Sequence, residues 1–488
     1  MCTTRLLFIP LLILLFGTPA AGQNAFYYGQ DLSFVNQMED CGAEYKRDFD
    51  PVDPYALFAD LGTNLVRVRL WVDPSWWQEP LNQPDGVRPW YSDFEDVKLT
   101  IQRAKDQGMK VLLNFHYSDF WADPGNQLIP RSWLEAANDP EALADSVYNY
   151  TLATLNELEA EGLMPELVQV GNETNPGVLV HIPVEDGFGV AETVAEFDDW
   201  QRHALIYNAG IQAVRDAGAQ SDIQPQIALH WSGISGIDWW IENLTQNGVS
   251  DFDIIGFSYY YAWHGESIGT MKSVVESLRS DFPEYDVMAL ETAYLWSQDY
   301  GEIINEPDPQ YLPVSPETQL DYMVDYTRAV KSAGGIGVIF WEPAWVDTPC
   351  VTPWETGSSH THVAFFDPYE TNFIENGGGN WTNFEFYEDL VSIPENSDEV
   401  PAKIALHQNY PNPFNPSTMI SYSLDAATDV RLTIYTVQGQ TIRTLIKSHQ
   451  PAGTHQVSFD ATGLAGGLYL YQLKTPETSI TRKMMLIK

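Results

Sequence analysis

Eight short apolar runs, each breaking into polar or aromatic residues, recur between residues 23 and 392. They are Phe26–Asp31, Leu65–Trp71, Lys110–His116, Leu167–Glu173, Gln226–Trp231, Phe252–Tyr259, Val287–Glu291 and Gly337–Glu342. Near-continuous Val, Leu and Ile runs of this length describe strands buried on both faces, which is the pattern of a parallel sheet covered by helices. Amphipathic stretches such as Asp93–Gln107, Pro140–Glu161 and Pro316–Ala333 lie between them, the last opening Ser315-Pro316-Glu317, with Pro suited to a first helical turn. Eight strands alternating with helices predict an α/β chain folded as a (β/α)8 TIM barrel. A doubly wound open sheet is the competitor. It is expected to carry a Gly-rich phosphate loop after an early strand, and none is present.

A barrel enzyme keeps its chemistry where the strands end. The ends bring Arg67, Arg69 and Trp71 from strand two, then His116, Asp119 and Trp121 after strand three. Asn172 and Glu173 follow strand four, His230 ends strand five, and Tyr259, Trp263 and His264 follow strand six. Glu291 ends strand seven, and Trp341, Glu342 and Trp345 follow strand eight. Any one of these residues has a structural reading, because a single polar group usually just satisfies its neighbours. The concentration of so many at one mouth reads as a site.

Strands four and seven face each other across a barrel mouth, so Glu173 and Glu291 are the pair to weigh. A retaining glycosidase needs two carboxyls about 5–5.5 Å apart, one to attack the anomeric carbon and one to handle the proton. Burial and the neighbouring carboxylate raise the pKa of the acid. Arg67 or Arg69 and a Tyr hydroxyl keep the nucleophile ionised, and Asn172 is placed to bond the sugar 2-hydroxyl. Sugar rings stack their C–H faces on aromatics, for which Trp121, Trp341, Trp263 and Trp345 are available, with Trp121 and Trp341 the preferred platforms. Their hydroxyls need partners, and His116, Asp119, His230, Tyr259 and His264 offer them.

The rest of the chain bounds the setting. Residues 1–22 hold one basic residue, Arg5, an apolar run from Leu6 to Phe16 and a small-residue end at Ala21-Gly22, the form of a secretory signal peptide. Cys41 and Cys350 then remain, able to form one disulfide in an oxidising compartment or to stand as two unrelated thiols. No Cys/His cluster has zinc-ligand spacing. The formal charge of −42 is uneven: residues 23–400 hold 16 Lys and Arg against 63 Asp and Glu, whereas residues 401–488 hold 8 against 4. That step marks a domain boundary, and the acidic field excludes nucleic acid and polyanionic substrates. An acidic surface of this kind also suits a high-salt habitat, with activity expected to hold as NaCl rises from low to molar levels.

Residues 393–403, polar and bounded by prolines, read as a linker between a catalytic domain at 23–392 and a C-terminal domain at 404–488. In the latter, Ile420–Leu424, Val430–Tyr435, Thr441–Leu445, His455–Phe459, Gly467–Leu473 and Ser479–Leu486 alternate with period two, predicting a small all-β, Ig-like sandwich. Its opening, Asn409-Tyr-Pro-Asn-Pro-Phe-Asn-Pro416, and its Gly467-Leu-Tyr…Lys483 ending resemble the C-terminal sorting domain of proteins exported by the type IX secretion system. That resemblance implies a Bacteroidetes-like Gram-negative source, the type IX machinery as partner, and a secreted or cell-surface location.

The barrel motifs resemble glycoside hydrolase family 53. They are Gly29-Gln-Asp31-Leu-Ser33, Arg67-Val-Arg69-Leu-Trp71-Val-Asp-Pro, Phe115-His116-Tyr-Ser-Asp119-Phe-Trp121-Ala-Asp-Pro, Gln169-Val-Gly-Asn172-Glu173-Thr-Asn, Trp263-His264-Gly, Glu291-Thr-Ala-Tyr and Trp341-Glu342-Pro-Ala-Trp345. The resemblance implies an endo-β-1,4-galactanase acting on type I arabinogalactan by retention, with Glu173 as acid/base and Glu291 as nucleophile. It covers residues 25–390, with Gln30 where Ala is commoner and Tyr261-Ala262 where Pro and an aromatic are usual. Some family members bind calcium through an Asp/Asn/His-rich loop after strand seven. Here Ser297–Asp308 has oxygen ligands but not that pattern, so it reads as a solvated acidic loop, and no cofactor is expected. A monomer is expected. The rival readings are another retaining clan member, such as a mannanase or cellulase, and a surface glycan-binding protein without catalysis, against which the presence of both carboxylates argues.

Overall fold

The computed structural model describes residues 26–76, 87–185, 187, 189–299, 303–352, 355–384, 404–406, 409, 414, 416–436, 440–476 and 478–486. The expected signal peptide and linker lie outside the described residues, as do residues 300–302 of the acidic loop after strand seven.

Eight strands close a parallel barrel: β1 (Tyr27–Asp31), β2 (Leu65–Leu70), β3 (Lys110–Phe115), β4 (Leu167–Val170), β5 (Gln226–Ser232), β6 (Ile254–Ser258), β7 (Asp286–Thr292) and β8 (Gly337–Phe340). Neighbours in sequence are neighbours in space, and β8 returns to pair with β1. Helices α1 (Pro54–Asp60), α2 (Phe94–Asp106), α3 (Pro140–Ala160), α4 (Trp200–Gly218), α5 (Ile237–Gln246), α6 (Ile268–Asp281) and α7 (Pro316–Ser332) connect successive strands. Several begin as their sequence demands. Asp53, Asp93, Asp139, Ser267 and Ser315 accept backbone N–H bonds as N-caps, and Pro54, Pro140 and Pro316 occupy the first turn.

Alternation along the strands sorts the interior into two layers. Leu65, Leu112, Leu167, Ala228, Ile254 and Met288 pack inside the barrel as an apolar floor. One or two residue pairs further along, the same inward faces carry Arg67, Arg69, Asn114, Gln169 and His230, all buried. The outward set, including Val66, Val68, Val111, Leu113 and Val168, belongs to the shell core shared with the helices. Burial of this apolar shell is the main stabilising term of the fold.

Strand β7 departs from strict alternation at the position that matters. Ala289 pairs with Phe257, but the next pair is Glu291 with Ser258, and the β8 register slips at the same place. The extra residue is Leu290, which joins the interior floor with Met288. Gly256 makes room for it, since a Cβ there would sit 2.2 Å from Leu290 Cδ1. The bulge lets Leu290 and Glu291 both serve the barrel interior, re-aiming the carboxylate toward the mouth.

Cys41, in the segment after β1, and Cys350, in the segment after β8, are joined by a disulfide with their Cα atoms 5.5 Å apart. It ties the loops across the seam where β1 meets β8. The C-terminal strands are β9 (Ala405–Leu406), β10 (Ser417–Leu424), β11 (Thr428–Thr436), β12 (Thr441–Gln450), β13 (Gly453–Asp460), β14 (Gly467–Lys474) and β15 (Ser479–Leu486). They form antiparallel sheets of order β9-β10-β13 and β12-β11-β14-β15 over a core that includes Ile420, Tyr422, Leu432, Ile434, Phe459, Tyr471 and Leu473. This is the expected small sandwich. No helix among the described residues is long and apolar enough to cross a membrane.

Candidate active site

A cavity of about 660 Å³ opens at the carboxyl ends of the barrel strands. Glu173 and Glu291 both line it. Oxygens of the two carboxylates lie within 4.8 Å of each other and of a ring nitrogen of His230. Glu173 follows Gly171 (φ 82°) and itself holds φ 45°, a left-handed backbone that costs a non-glycine residue about 1 kcal/mol or more. That turn lifts the Glu173 side chain out of the β4 ladder and over the mouth.

The two carboxylates have different surroundings. Arg67 places Nη2 2.8 Å from Glu291 Oε1, and the Tyr260 hydroxyl donates to Glu291 Oε2 at 2.9 Å. Burial pushes Glu291 upward, and Arg67 and Tyr260 pull it back toward the ionised form. Among the described residues no cation faces Glu173. Burial and the charge of Glu291 push it up to about 8, against hydrogen bonds from the Ser258 and Ser232 hydroxyls. These surroundings therefore favour the proton on Glu173 and the charge on Glu291.

Behind this pair a buried polar layer fixes geometry. Arg67 also donates from Nη1 to Asp31 Oδ2 at 2.8 Å, from Nη2 to Asn172 Oδ1 at 2.7 Å and from Nε to Gln169 Oε1 at 3.1 Å. Asn172 Oδ1 accepts further from Asn114 Nδ2 and Gln169 Nε2, both at 3.0 Å, while its Nδ2 donates to Ala122 O at 2.7 Å. One N–H of that amide is left for the cavity, which Asn172 lines. His230 stays neutral, held well below its usual range by burial and by Arg67 and His116. The Glu173 N–H points at His230 Nδ1 (3.4 Å), so the ring proton is on Nε2 and is donated to Ser258 Oγ at 2.9 Å. The Ser258 hydroxyl can then serve Glu173.

Aromatic side chains make the walls. Trp121, Trp263, Trp341 and Trp345 line the cavity with His264. Arg69 does not reach it. Its guanidinium is sandwiched between Phe34 (4.2 Å) and Trp121 (4.3 Å), with Phe34 stacked on Trp345 at 4.1 Å. Its charge is matched by Glu342 through Nη1. The row Trp345, Phe34, Arg69, Trp121 thus runs behind the wall and joins two of its members.

Several residues expected to meet a sugar are placed otherwise. Of the two arginines, Arg67 meets Glu291, the nucleophile position, as one of them was expected to, and Arg69 meets Glu342 behind the wall. His116 is buried and neutral and accepts the Ala122 N–H at Nδ1 (3.1 Å). Asp119, pushed up to about 6 by burial, accepts the Asp73 and Arg131 N–H groups at 3.1 and 2.8 Å and so joins two loops. His230 lies beneath the carboxylates. Tyr259 turns outward onto Tyr326 (5.9 Å) and donates to Glu266 O; the inward tyrosine is Tyr260. Period two from Ser258, whose hydroxyl meets His230 inside the barrel, would have selected it. Phe34, Gln169, Ser232 and Ser258 carried no comparable signal, because their roles depend on neighbours distant in sequence.

The Glu173, His230 and Glu291 group has the spacing of a metal site, but its donors do not fit one. A cation there would stand beside the Arg67 guanidinium, and both ring nitrogens of His230 are engaged.

Two buried carboxylates with oxygens within 4.8 Å of each other, at the aromatic-walled mouth of a (β/α)8 barrel, are the arrangement of a retaining glycoside hydrolase. Residues 27–376 match the family described as glycosyl hydrolase family 53. The chain belongs to that family. It is 42% identical over 368 residues to an arabinogalactan endo-β-1,4-galactanase of Cellvibrio japonicus, covering 74% of this chain and 92% of the relative. An endo-β-1,4-galactanase of Bacillus subtilis is 31% identical over 378 residues, covering 72% and 81%. Among solved structures, the GH53 catalytic domain of Ignisphaera aggregans superposes with a TM-score of 0.62 at 26% identity, covering 74% of this chain and 96% of that one. A fungal β-1,4-galactanase gives 0.59 at 26% identity, covering 74% and 99%. Residues 408–488 match a secretion system C-terminal sorting domain.

Proposed function

We propose that the chain is a secreted endo-β-1,4-galactanase that hydrolyses the β-1,4-galactosidic bonds of type I arabinogalactan, the neutral side chains of pectin, by double displacement. The observation that carries the mechanism is the carboxylate pair: Glu173 and Glu291 within 4.8 Å, only the latter against a guanidinium. Glu291 attacks the anomeric carbon while Glu173 gives its proton to the departing glycosidic oxygen, leaving a galactosyl ester on Glu291. Glu173, now anionic, takes a proton from water as that water attacks the same carbon. The ester bond breaks, Glu291 departs as carboxylate, and configuration is retained. Asn172 offers its remaining N–H to the sugar 2-hydroxyl, and Trp121 and Trp341 supply stacking faces.

The C-terminal match supports export by a type IX system to the medium or cell surface of a Bacteroidetes-like bacterium. We propose that the barrel acts as a monomer. Reducing-sugar release from galactan, mannan and carboxymethylcellulose tests the substrate. Galactan alone should be cut, by the parent and not by Glu291→Ala. Preference for mannan or cellulose would assign another specificity, and equal release by parent and Glu291→Ala would exclude the mechanism.

A further inference from the structure

The segment between β4 and α4 and the start of α5 put two aromatic side chains into solvent on the catalytic face. Phe197 is 53% exposed and Trp239 43%, and their ring centroids are 6.2 Å apart. Trp200, half-buried in the first turn of α4, braces Trp239 edge-on at 5.1 Å. A single exposed apolar residue needs no explanation, whereas a contiguous aromatic group beside a cleft does.

This group adjoins the catalytic cavity along the chain. Glu173 lines the cavity, and the next two residues, Thr174 and Asn175, line a recess on the other side of the turn together with Phe197 and Trp200. Asn175 Nδ2 donates to Ser232 O, and the Ser232 N–H donates to Asn175 Oδ1, both at 2.8 Å. The partition between cavity and aromatic group is thus a seam of two hydrogen bonds. The direction follows from the chemistry. Glu173 gives its proton to the departing oxygen, so the surface beyond Glu173, on the side away from Glu291, faces the leaving group.

Charge narrows the ligand. The segments after β4 to β8 (171–199, 233–236, 259–267, 293–315 and 341–384) contain eighteen Asp or Glu and no Lys or Arg. Glu196, Asp198 and Asp238, beside Phe197 and Trp239 in sequence, are exposed. They accept hydrogen bonds from hydroxyls and repel anions. Stacking faces bordered by acceptors, with no cation, fit a neutral sugar chain.

We propose that Phe197 and Trp239 form a distal glycan-binding platform on the leaving-group side, holding the neutral β-1,4-linked chain beyond the bond that is cut. The proposal rests on the galactanase reading. It concerns the polymer, whose chain runs on past the residues that hold the bond being cut, rather than a short oligosaccharide.

The test compares the parent with Trp239→Ala and with Phe197→Ala/Trp239→Ala on long linear galactan and on galactotetraose, with melting temperature as a folding control. On the polymer, kcat/KM should fall about tenfold through KM, whereas galactotetraose turnover should be unchanged and Trp239→Phe should restore the polymer rate. An equal loss on both substrates, or no loss on either, overturns the proposal. So does a change in oligomeric state on sedimentation, which would assign the patch to contact between copies of the chain. A parent that ignores both galactans defeats the galactanase reading instead, while an active parent whose polymer-to-oligomer ratio does not move in the variants defeats only the platform.

Discussion

Replacing Glu291 with Gln should lower the pKa of Glu173 without moving it. In the parent, two causes raise Glu173 to about 8: its burial, and the negative charge of Glu291. The variant removes the second and keeps the first. With carboxylate oxygens within 4.8 Å of each other, an effective dielectric constant near 20 gives a repulsion of about 3 kcal/mol. That is equivalent to about 2 pH units. The Glu173 midpoint is therefore expected to drop from about 8 toward about 6. Carbon-13 NMR of protein labelled at the glutamate carboxyl carbon reads this directly, the Glu173 resonance being the one missing in Glu173→Gln. A midpoint that stays near the parent value would refute the reasoning, because burial alone would then account for the acid.

Other consequences follow from the same contacts. Glu173 and Asp119 are raised in the folded chain to about 8 and about 6, from ordinary values of 4.5 and 3.8. Their protonated forms favour folding, so the contribution is complete below the unfolded values and is lost as pH rises through about 6 and then about 8. Melting temperature by calorimetry should fall between pH 5 and 9, and Glu173→Gln should flatten the upper part of that fall. Arg69→Met strands buried Glu342, at a cost of about 3–5 kcal/mol. Adding Glu342→Gln should recover most of the stability in urea titration, while KM for galactan stays raised because Trp121 and Phe34 have lost the cation between them. The Cys41–Cys350 bond closes a sequence separation of 309 residues. Replacing both cysteines by Ser should cost about 2–5 kcal/mol in denaturant unfolding, with kcat on galactan retained.

The barrel was legible because parallel strands buried on both faces write themselves as apolar runs, and all eight fall where those runs lie. The apolar runs overshoot the ends of most strands. His116, Glu173 and Glu342 fall beyond the last strand residues, and at Glu173 and Glu342 the backbone turns left-handed (φ 45° and 52°). The carboxylate pair was legible from strand order alone. What alternation could not reveal was the bulge at Leu290, where the pattern taken literally turns Glu291 away from the mouth. Nor could it separate Arg67 from Arg69: both face inward, but one meets Glu291 and the other Glu342. The pairing of Cys41 with Cys350 depends on barrel closure, which brings together segments that no local pattern connects.

The central claim is that Glu291 forms and releases a covalent galactosyl ester with Glu173 as acid and then base. Proton NMR of the first products of galactan hydrolysis, taken before mutarotation, tests it most directly. The β-anomer should appear first, with the α-anomer growing in later by mutarotation. Initial release of the α-anomer would mean a single displacement by water, and would contradict the account.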